Sequence, residues 1–264
     1  MGCGILLPFP PSNNRQYRTP GAGLAPRVRT DEPIAVQRAG YHVSIAMSAV
    51  ATDPAPAVRS DAFPVGVRRL GRVQFEPTWR AMQEFTAQRS ADSADELWLL
   101  EHPPVYTLGV AGRAEHLPRV ANGIPVVKTD RGGQITYHGP GQIVLYLLLD
   151  LRRRGLSVRP LVRIMEQATI GLLAAYGVVA AGRNEAPGVY VNGAKIAALG
   201  LRIRNNCCYH GIAFNVDMDL SPFHAIDPCG YPGLAVTQAR DLGVVDGLEL
   251  LGEKLLRHLL DRLT

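Results

Sequence analysis

The fold of this 264-residue chain is decided by residues 189–216, VYVNGAKIAALGLRIRNNCCYHGIAFNV. Asn192-Gly193 tolerates the positive φ angles of a type I′ turn, so residues 189–191 and 194–204 are predicted to pair as a β-hairpin. A second turn at Asn205-Asn206 would return residues 208–216 as the next strand. The segment therefore predicts at least three consecutive antiparallel strands.

Three helices are predicted outside this segment. The first begins at Pro77 and runs to about Arg89, the second begins at Pro160 and ends at Gly177, and the third occupies the C-terminus from Leu248. Short apolar strands at 97–100, 105–108 and 142–149 lie between them, and the last is predicted to be buried on both faces. Helices mixed with antiparallel strands predict an α+β domain built on one mixed, largely antiparallel sheet flanked by helices.

The N-terminal quarter of the chain has a different composition. Residues 1–64 hold nine of the 20 prolines and show no sustained hydrophobic period. Such a segment buries too little apolar surface to offset the entropy of ordering, which predicts a disordered tail at 1–64 followed by a single catalytic domain at 65–264. An alternative is translation from Met47, which would make the preceding residues an artefact of start-site choice.

Composition excludes several classes of protein. With 47% hydrophobic and 19% charged residues the chain is neither wholly disordered nor a coiled coil. The longest apolar run, residues 143–149, falls far short of the roughly 18 residues of a membrane helix, and no export signal is recognisable. Four cysteines are too few for a disulfide scaffold. We therefore expect a cytoplasmic protein with free thiols, and the net charge of +5 favours an acidic partner.

The segment RGGQITYHGPGQ, residues 131–142, holds four glycines directly before a predicted buried strand. Glycines let backbone N–H groups approach a ligand, and a loop that enters a rigid strand is well placed to hold one. The alternative is a long turn in which Arg131 and His138 merely satisfy each other. The phosphate-loop and dinucleotide glycine patterns are both absent, so a nucleotide is not indicated.

Cys229 and Lys195 are the candidate reactive side chains. Cys229 lies in DPCGYPG, residues 227–233, where two prolines and two glycines predict a tight turn that exposes a thiol for nucleophilic attack as the thiolate. Lys195 follows the Asn-Gly turn, and strand alternation predicts that it shares an apolar face with Ala197, where desolvation would favour the neutral amine. The alternatives are a small buried cysteine and a solvent-exposed lysine.

The candidate ligands for a zinc ion are Cys207, Cys208, His210, His224 and Cys229. Adjacent cysteines do not readily bind one tetrahedral ion together, and no Cys-x-x-Cys pair exists, so no metal is predicted. His102 is interpreted as a loop or surface residue.

The cluster Arg152-Arg153-Arg154, with Arg159 and Arg163 beyond it, precedes and enters the second helix. It is either a solvated face or a surface that steers an acidic protein, or the phosphate of a carrier's prosthetic arm, toward the site. Because no aromatic residues are interleaved with the arginines, nucleic acid is not expected.

Four segments, at 131–142, 186–191, 195–204 and 215–231, occur in an order and at a spacing that resemble the octanoyltransferases of lipoate biosynthesis. The resemblance covers roughly residue 65 to the C-terminus. It implies the fold of the biotin and lipoate protein ligase catalytic domains. It also implies an ATP-independent acyltransferase that moves an octanoyl or lipoyl group from acyl carrier protein to a specific lysine of lipoyl domains, the first step of protein lipoylation from endogenous octanoate.

Carried over onto this chain, the resemblance implies that Cys229 is the nucleophile, which forms an acyl thioester, and Lys195 its proton-transfer partner. The residues that it implies for the acyl pocket are Arg131, Gly132, Gly133, Gln134, Ile135, Thr136, Tyr137, His138, Ala198, Leu199, Gly200, Gly211, Ile212 and Ala213. The implied acceptors are lipoyl domains of 2-oxoacid dehydrogenase acyltransferase subunits and the glycine-cleavage carrier protein. We expect a monomer without cofactor or metal, and no binding to nucleic acid or membrane.

Two other readings of the sequence remain open. One is an ATP-dependent lipoate or biotin protein ligase on the same fold, although the glycine- and arginine-rich loop of biotin ligases is absent. The other is a non-catalytic module that binds a carrier protein with its basic face. The Lys195 and Cys229 pair argues against the second.

Overall fold

The computed structural model describes residues 64–227, 230 and 233–263. The predicted tail up to residue 63 and the alternative start at Met47 lie outside the described residues, as does Cys229.

Ten strands and three helices form the described part of the chain. The strands, in chain order, are β1 (Val65–Arg72), β2 (Asp95–Glu101), β3 (Val105–Leu108), β4 (Val126–Lys128), β5 (Ile135–His138), β6 (Gln142–Asp150), β7 (Ala181–Gly182), β8 (Gly188–Val191), β9 (Ala194–Arg204) and β10 (Cys207–Asn215). The helices are α1 (Phe75–Ala87), α2 (Val158–Ala174) and α3 (Leu248–Leu263). Within the described residues, no helix is both long enough and apolar enough to cross a membrane.

Seven strands form a mixed sheet in the order β1-β2-β6-β10-β9-β8-β7. Its β1 pairs in parallel with β2, and the other neighbouring strands are antiparallel. The Asn192-Gly193 turn adopts the predicted positive φ angles, 48° and 87°. The predicted turn at Asn205-Asn206 also has positive φ angles, 50° and 59°. The hairpins predicted from these turns are therefore confirmed, and so is the α+β class.

The sheet is covered by helices on both faces because β6 is apolar on both. Its odd-numbered residues, such as Leu145 and Leu147, belong to the largest core cluster, which α2 and α3 cover. Its even-numbered Tyr146 and Leu148 belong to a second cluster with Met82 of α1. The prediction of a strand buried on both faces is confirmed.

Two helices begin earlier than predicted, since Pro77 is the third residue of α1 and Pro160 the third of α2. The first N–H groups of a helix have no partner within it, so proline fits at any position in the first turn. The Thr78 hydroxyl donates to the Gln74 carbonyl at 2.7 Å, which fixes the entry into α1.

A second sheet of three strands, in the order β4-β3-β5, was not predicted. It packs around a separate core cluster that includes Tyr106, Tyr137 and Phe223. The glycine-rich segment 131–142 conceals β5, because the apolar alternation of Ile135 to His138 is only four residues long. The expectation of a single sheet is therefore wrong, and the loop is partly a strand.

In the triple-arginine cluster Arg152 is exposed, but the other two arginines do not form a docking face. Arg153 and Arg154 instead reach Asp95, with N–O distances of 2.7 and 2.5 Å, and Arg89 pairs with the same carboxylate. Asp95 is fully buried. A charge count does not reveal this pairing, because Asp95 is far from Arg153 and Arg154 in sequence.

Candidate active site

An inner cavity opens between α1, the glycine-rich segment and the strands β6, β9 and β10. Its walls are Phe75, Arg131, Gly132, Gly133, Gln134, Ile135, Thr136, His138, Val144, Tyr146, Ala198, Leu199, Gly200, His210, Gly211, Ile212 and Ala213. All the residues that the resemblance implied for the acyl pocket are among them except Tyr137. Tyr137 faces the other side of β5, where its ring lies 5.5 Å from those of Tyr106 and Phe223.

Arg131 and His138 share a hydrogen-bond partner, the hydroxyl of Thr107. The Arg131 guanidinium donates through Nε to the Thr107 hydroxyl at 3.1 Å and through Nη1 to the Gly132 carbonyl at 2.9 Å. Nε2 of His138 lies 3.3 Å from the same hydroxyl. No sequence pattern indicates Thr107, which lies on β3 and links Arg131 to His138.

A chain of hydrogen bonds continues from His138 across the fold. Its Nδ1–H donates to the side-chain oxygen Oε1 of Gln142 at 2.7 Å. The side-chain amide Nε2 of Gln142 donates to Oδ1 of Asn215 at 2.9 Å. Asn215 donates to the Thr237 carbonyl at 3.0 Å, and the Thr237 N–H donates to the Lys195 carbonyl at 2.9 Å. The glycine-rich segment is thereby tied to the backbone of Lys195.

Burial keeps the histidines of this region neutral. It lowers the pKa of His138 to about 3 and that of His102 to about 4, and it also lowers the pKa of His210. His102 lies in a loop directly after β2, one of its two predicted placements, but it is not at the surface. It is fully buried, where its Nδ1–H donates to the Val73 carbonyl at 2.7 Å and its Nε2 accepts from the Tyr146 hydroxyl at 2.8 Å.

Asp130 holds one wall of the cavity and was missed by the sequence analysis. It accepts from Trp79 at 2.9 Å, from His210 at 3.1 Å and from the Tyr209 hydroxyl. Burial alone would raise its pKa, but these hydrogen bonds, the one from His210 first, hold it well below its ordinary value. Two consecutive residues of β10 reach one carboxylate because His210 has a φ of 66°, which breaks strand alternation.

Lys195 lies on a different face of the sheet from the one predicted. β8 pairs Tyr190 with Lys195 but Val189 with Ala197, so Ile196 is an extra residue in β9, a β-bulge. Because Val189 and Tyr190 point to opposite faces, Lys195 and Ala197 do as well. The shared apolar face with Ala197 is therefore wrong. Lys195 belongs instead to the face of Tyr190 and Ala198, and Ala198 lines the inner cavity.

The Lys195 side chain is buried, with 3% of its surface exposed. Its Nζ donates to the Pro187 carbonyl at 3.3 Å and lies 5.1 Å from the centre of the Tyr190 ring. The backbone of Lys195 also pairs with the segment that follows Cys229, because its N–H donates to the Ala235 carbonyl at 2.8 Å. The alternative of a solvent-exposed lysine is excluded.

An outer cavity adjoins the inner one, and the two share Gly132, Gly133, Gln134, Leu199 and Gly200. Its further walls include Pro187, the partner of Lys195, and Gly230, the residue after Cys229. A Cβ on Gly230 would lie 3.3 Å from Gln134, which favours glycine at this position.

The described residues on both sides of Cys229 are anchored. Before it, Arg119 donates to the Asp227 carboxylate at 2.9 Å, and after it, residues 235 and 237 bond to Lys195. Among residues 64–227, 230 and 233–263, no group of three or more His, Cys, Asp or Glu side chains is arranged to hold a metal ion.

Comparison with known proteins gives the family. Residues 76–247 match the lipoyl protein ligase A/B catalytic domain. The chain is 64% identical over 207 residues to the octanoyltransferase of Azoarcus sp. (strain BH72), covering 78% of this chain and 90% of that protein. It is 70% identical over 190 residues to the octanoyltransferase of Thiobacillus denitrificans, covering 72% and 87%. The chain belongs to the octanoyltransferase family. The resemblance seen in the sequence is thus confirmed, and this octanoyltransferase is an acyltransferase of protein lipoylation.

Solved structures that share this fold include lipoate protein ligases. The bipartite lipoate protein ligase of Thermoplasma acidophilum superposes on this octanoyltransferase with a TM-score of 0.60 at 17% identity, covering 76% of this chain and 84% of that one. A lipoate-protein ligase A bound with ATP gives a TM-score of 0.58 at 15% identity, covering 76% and 85%. Identities this low show the shared fold alone, which agrees with the ligase-like fold that the resemblance implied.

Proposed function

We propose that this octanoyltransferase acts in the cytoplasm as a monomer, moving an octanoyl group from acyl carrier protein to the target lysine of a lipoyl domain through a thioester on Cys229, without ATP. The acceptors would be the lipoyl domains of 2-oxoacid dehydrogenase acyltransferase subunits and the glycine-cleavage carrier protein. The observation that carries the proposal is the shared wall of the two cavities. A largely apolar inner cavity adjoins an outer cavity that is lined by Pro187, which accepts from Lys195, and by Gly230.

The walls of the inner cavity suit an acyl chain. Phe75, Ile135, Val144 and Ile212 are apolar, and the histidines are neutral. Among the described residues of these walls, charge is then confined to Arg131, whose guanidinium is bonded to Thr107 and to the Gly132 carbonyl. An octanoyl chain would therefore enter without displacing a hydrated charge, which favours binding.

The first half-reaction transfers the acyl group to the enzyme. Lys195 takes the Cys229 thiol proton, and the thiolate attacks the carbonyl carbon of the donor thioester. The tetrahedral intermediate collapses with cleavage of the bond to the carrier sulfur. Lys195 then returns its proton to the departing carrier thiolate.

The second half-reaction forms the amide. The acceptor lysine attacks the Cys229 thioester as a neutral amine, and the bond to the Cys229 sulfur breaks. Lys195 removes the excess proton from the new amide nitrogen and delivers it to the Cys229 thiolate. Because the incoming thioester already carries the activation, no ATP is consumed.

Transfer in the absence of ATP tests this function. Octanoyl-acyl carrier protein and a lipoyl domain are incubated with the enzyme, and the intact mass of the lipoyl domain is measured with and without ATP. We expect an octanoyl increment in both reactions, and none on a lipoyl domain whose target lysine is replaced by arginine. Incorporation of free octanoate that requires ATP, with no transfer from the carrier, would establish the ligase alternative. The absence of any transfer would favour the carrier-binding module.

Replacement of Lys195 by methionine should reduce the rate of transfer by roughly 10²–10⁴-fold, the usual contribution of a general acid–base residue. Methionine keeps an unbranched, apolar side chain in the buried site but cannot carry the proton. Single-turnover rates of both half-reactions are measured, and we expect both to fall.

The matched control is Lys254→Met, at a half-exposed lysine of α3 that pairs with Asp246. Both variants are first checked for a cooperative thermal transition. Equal rates in the Lys195 and Lys254 variants would exclude Lys195 from proton transfer.

A further inference from the structure

An arginine groove, defined by Arg159, Arg163, Arg183 and the apolar Val158, Val162 and Pro187, runs along the first turns of α2. Arg159 and Arg163 are exposed and lie four residues apart, so they share one side of the helix. Arg183 comes from the loop between β7 and β8. None of these three cations takes part in the proposed acyl transfer steps.

The arginine groove leads into the outer cavity. Val158, Val162 and Pro187 line both, and the outer cavity shares five residues with the inner one. Arg183 also lies near Lys195, because its guanidinium is 4.2 Å from the centre of the Tyr190 ring and Nζ of Lys195 is 5.1 Å from the same centre. The arginine groove thus shares walls with the outer cavity, which Pro187 and Gly230 also line.

The groove is basic on balance. One carboxylate, that of Glu166, lines it beside the three guanidinium groups. This carboxylate accepts the Gly188 N–H at 3.2 Å, and burial raises its pKa, against smaller opposing effects of that hydrogen bond and Arg163. A groove with apolar walls and a cationic outer end fits an extended ligand that ends in an anion.

We propose that the arginine groove binds the phosphate of the prosthetic arm on which the carrier presents its thioester; the assignment rests on the proposed function. Guanidinium groups bind phosphate oxygens through paired, charge-assisted hydrogen bonds. The uncharged part of the arm would lie between Val158, Val162 and Pro187, and its thioester end would reach the outer cavity. The arginines that meet the donor are thus those of α2 and the β7–β8 loop, not those bound to Asp95.

Two small donors that differ by one phosphate test the assignment. Transfer to a lipoyl domain is measured with octanoyl-phosphopantetheine and with octanoyl-pantetheine, for the wild type and for the triple variant Arg159→Ala, Arg163→Ala, Arg183→Ala. We expect the wild type to prefer the phosphorylated donor in kcat/KM. In the triple variant the ratio of the two kcat/KM values should fall by roughly tenfold or more, chiefly because KM for the phosphorylated donor rises.

Arg257→Ala is the matched control, because Arg257 is an exposed arginine of α3 that lines none of the three cavities. It should keep the preference of the wild type. A triple variant that folds and keeps the preference would overturn the assignment. A rise in KM for the whole carrier protein, with no rise for either small donor, would also overturn it and would indicate an acidic protein surface as the ligand. A wild type that uses no octanoyl thioester, carrier-borne or free, would instead overturn the proposed function and the groove assignment with it.

Discussion

The Cys229→Ala variant is expected to transfer octanoyl groups at least about 10³-fold more slowly than the wild type, the scale of loss when a covalent nucleophile is removed. Alanine has no atom that can accept the acyl group, so neither half-reaction can proceed through the enzyme. Direct attack of the acceptor amine on the carrier thioester would be the residual route. Transfer is followed by the mass of the lipoyl domain under single-turnover conditions.

Cys207→Ala provides the matched cysteine control. Cys207 lies at the start of β10, and burial raises the pKa of its thiol, which disfavours a thiolate. This variant should retain transfer. If Cys229→Ala were as active as Cys207→Ala, the covalent mechanism would be excluded, whatever the activity of the Lys195→Met variant.

The largest effect on stability is expected at Asp95. Asp95→Asn should lower the free energy of unfolding by about 3–5 kcal/mol, because an amide leaves the buried cations Arg89 and Arg154 without their counter-charge. Burial opposes ionisation of Asp95, but the hydrogen bond from the Asp150 N–H and those from the arginines hold its pKa below its ordinary value. The contribution is therefore fully present at pH 7 and is lost as the pH falls through that lowered pKa.

Urea unfolding followed by circular dichroism measures this loss, with Asp217→Asn as the control. Asp217 pairs with Arg240 at 2.8 Å, and both side chains are more than half exposed, so solvent screens the pair. The control should be far less destabilised than Asp95→Asn. Equal stability of the two variants would contradict the prediction, because it would mean that the buried arginines do not need the negative charge of Asp95.

Local signals predicted much of the fold. The two asparagine turns set the register of β8, β9 and β10, since a type I′ turn requires residues that tolerate positive φ angles. The apolar run of β6 indicated burial on both faces, and the leucine spacing of α3 indicated its extent. Each of these features depends on a few neighbouring residues, so the sequence alone was sufficient.

Features that depend on distant partners could not be predicted in this way. The bulge at Ile196 moves Lys195 to the face of Tyr190, and no residue type in β9 marks it. Asp130 gains its role from Trp79 and His210, which are far from it in sequence. The composition of the glycine-rich segment predicts a ligand loop, but it does not predict the hydrogen bonds of Arg131 and His138 to Thr107.

The central claim, a thioester on Cys229, is tested most directly by mass spectrometry of the enzyme itself. The wild type is incubated with octanoyl-acyl carrier protein, without ATP or acceptor, and its intact mass and peptide map are recorded. The account predicts one octanoyl increment on the peptide that holds Cys229, labile to hydroxylamine and absent from Cys229→Ala. An enzyme that stays unmodified while the carrier keeps its acyl group, or an adduct on another residue, would contradict it.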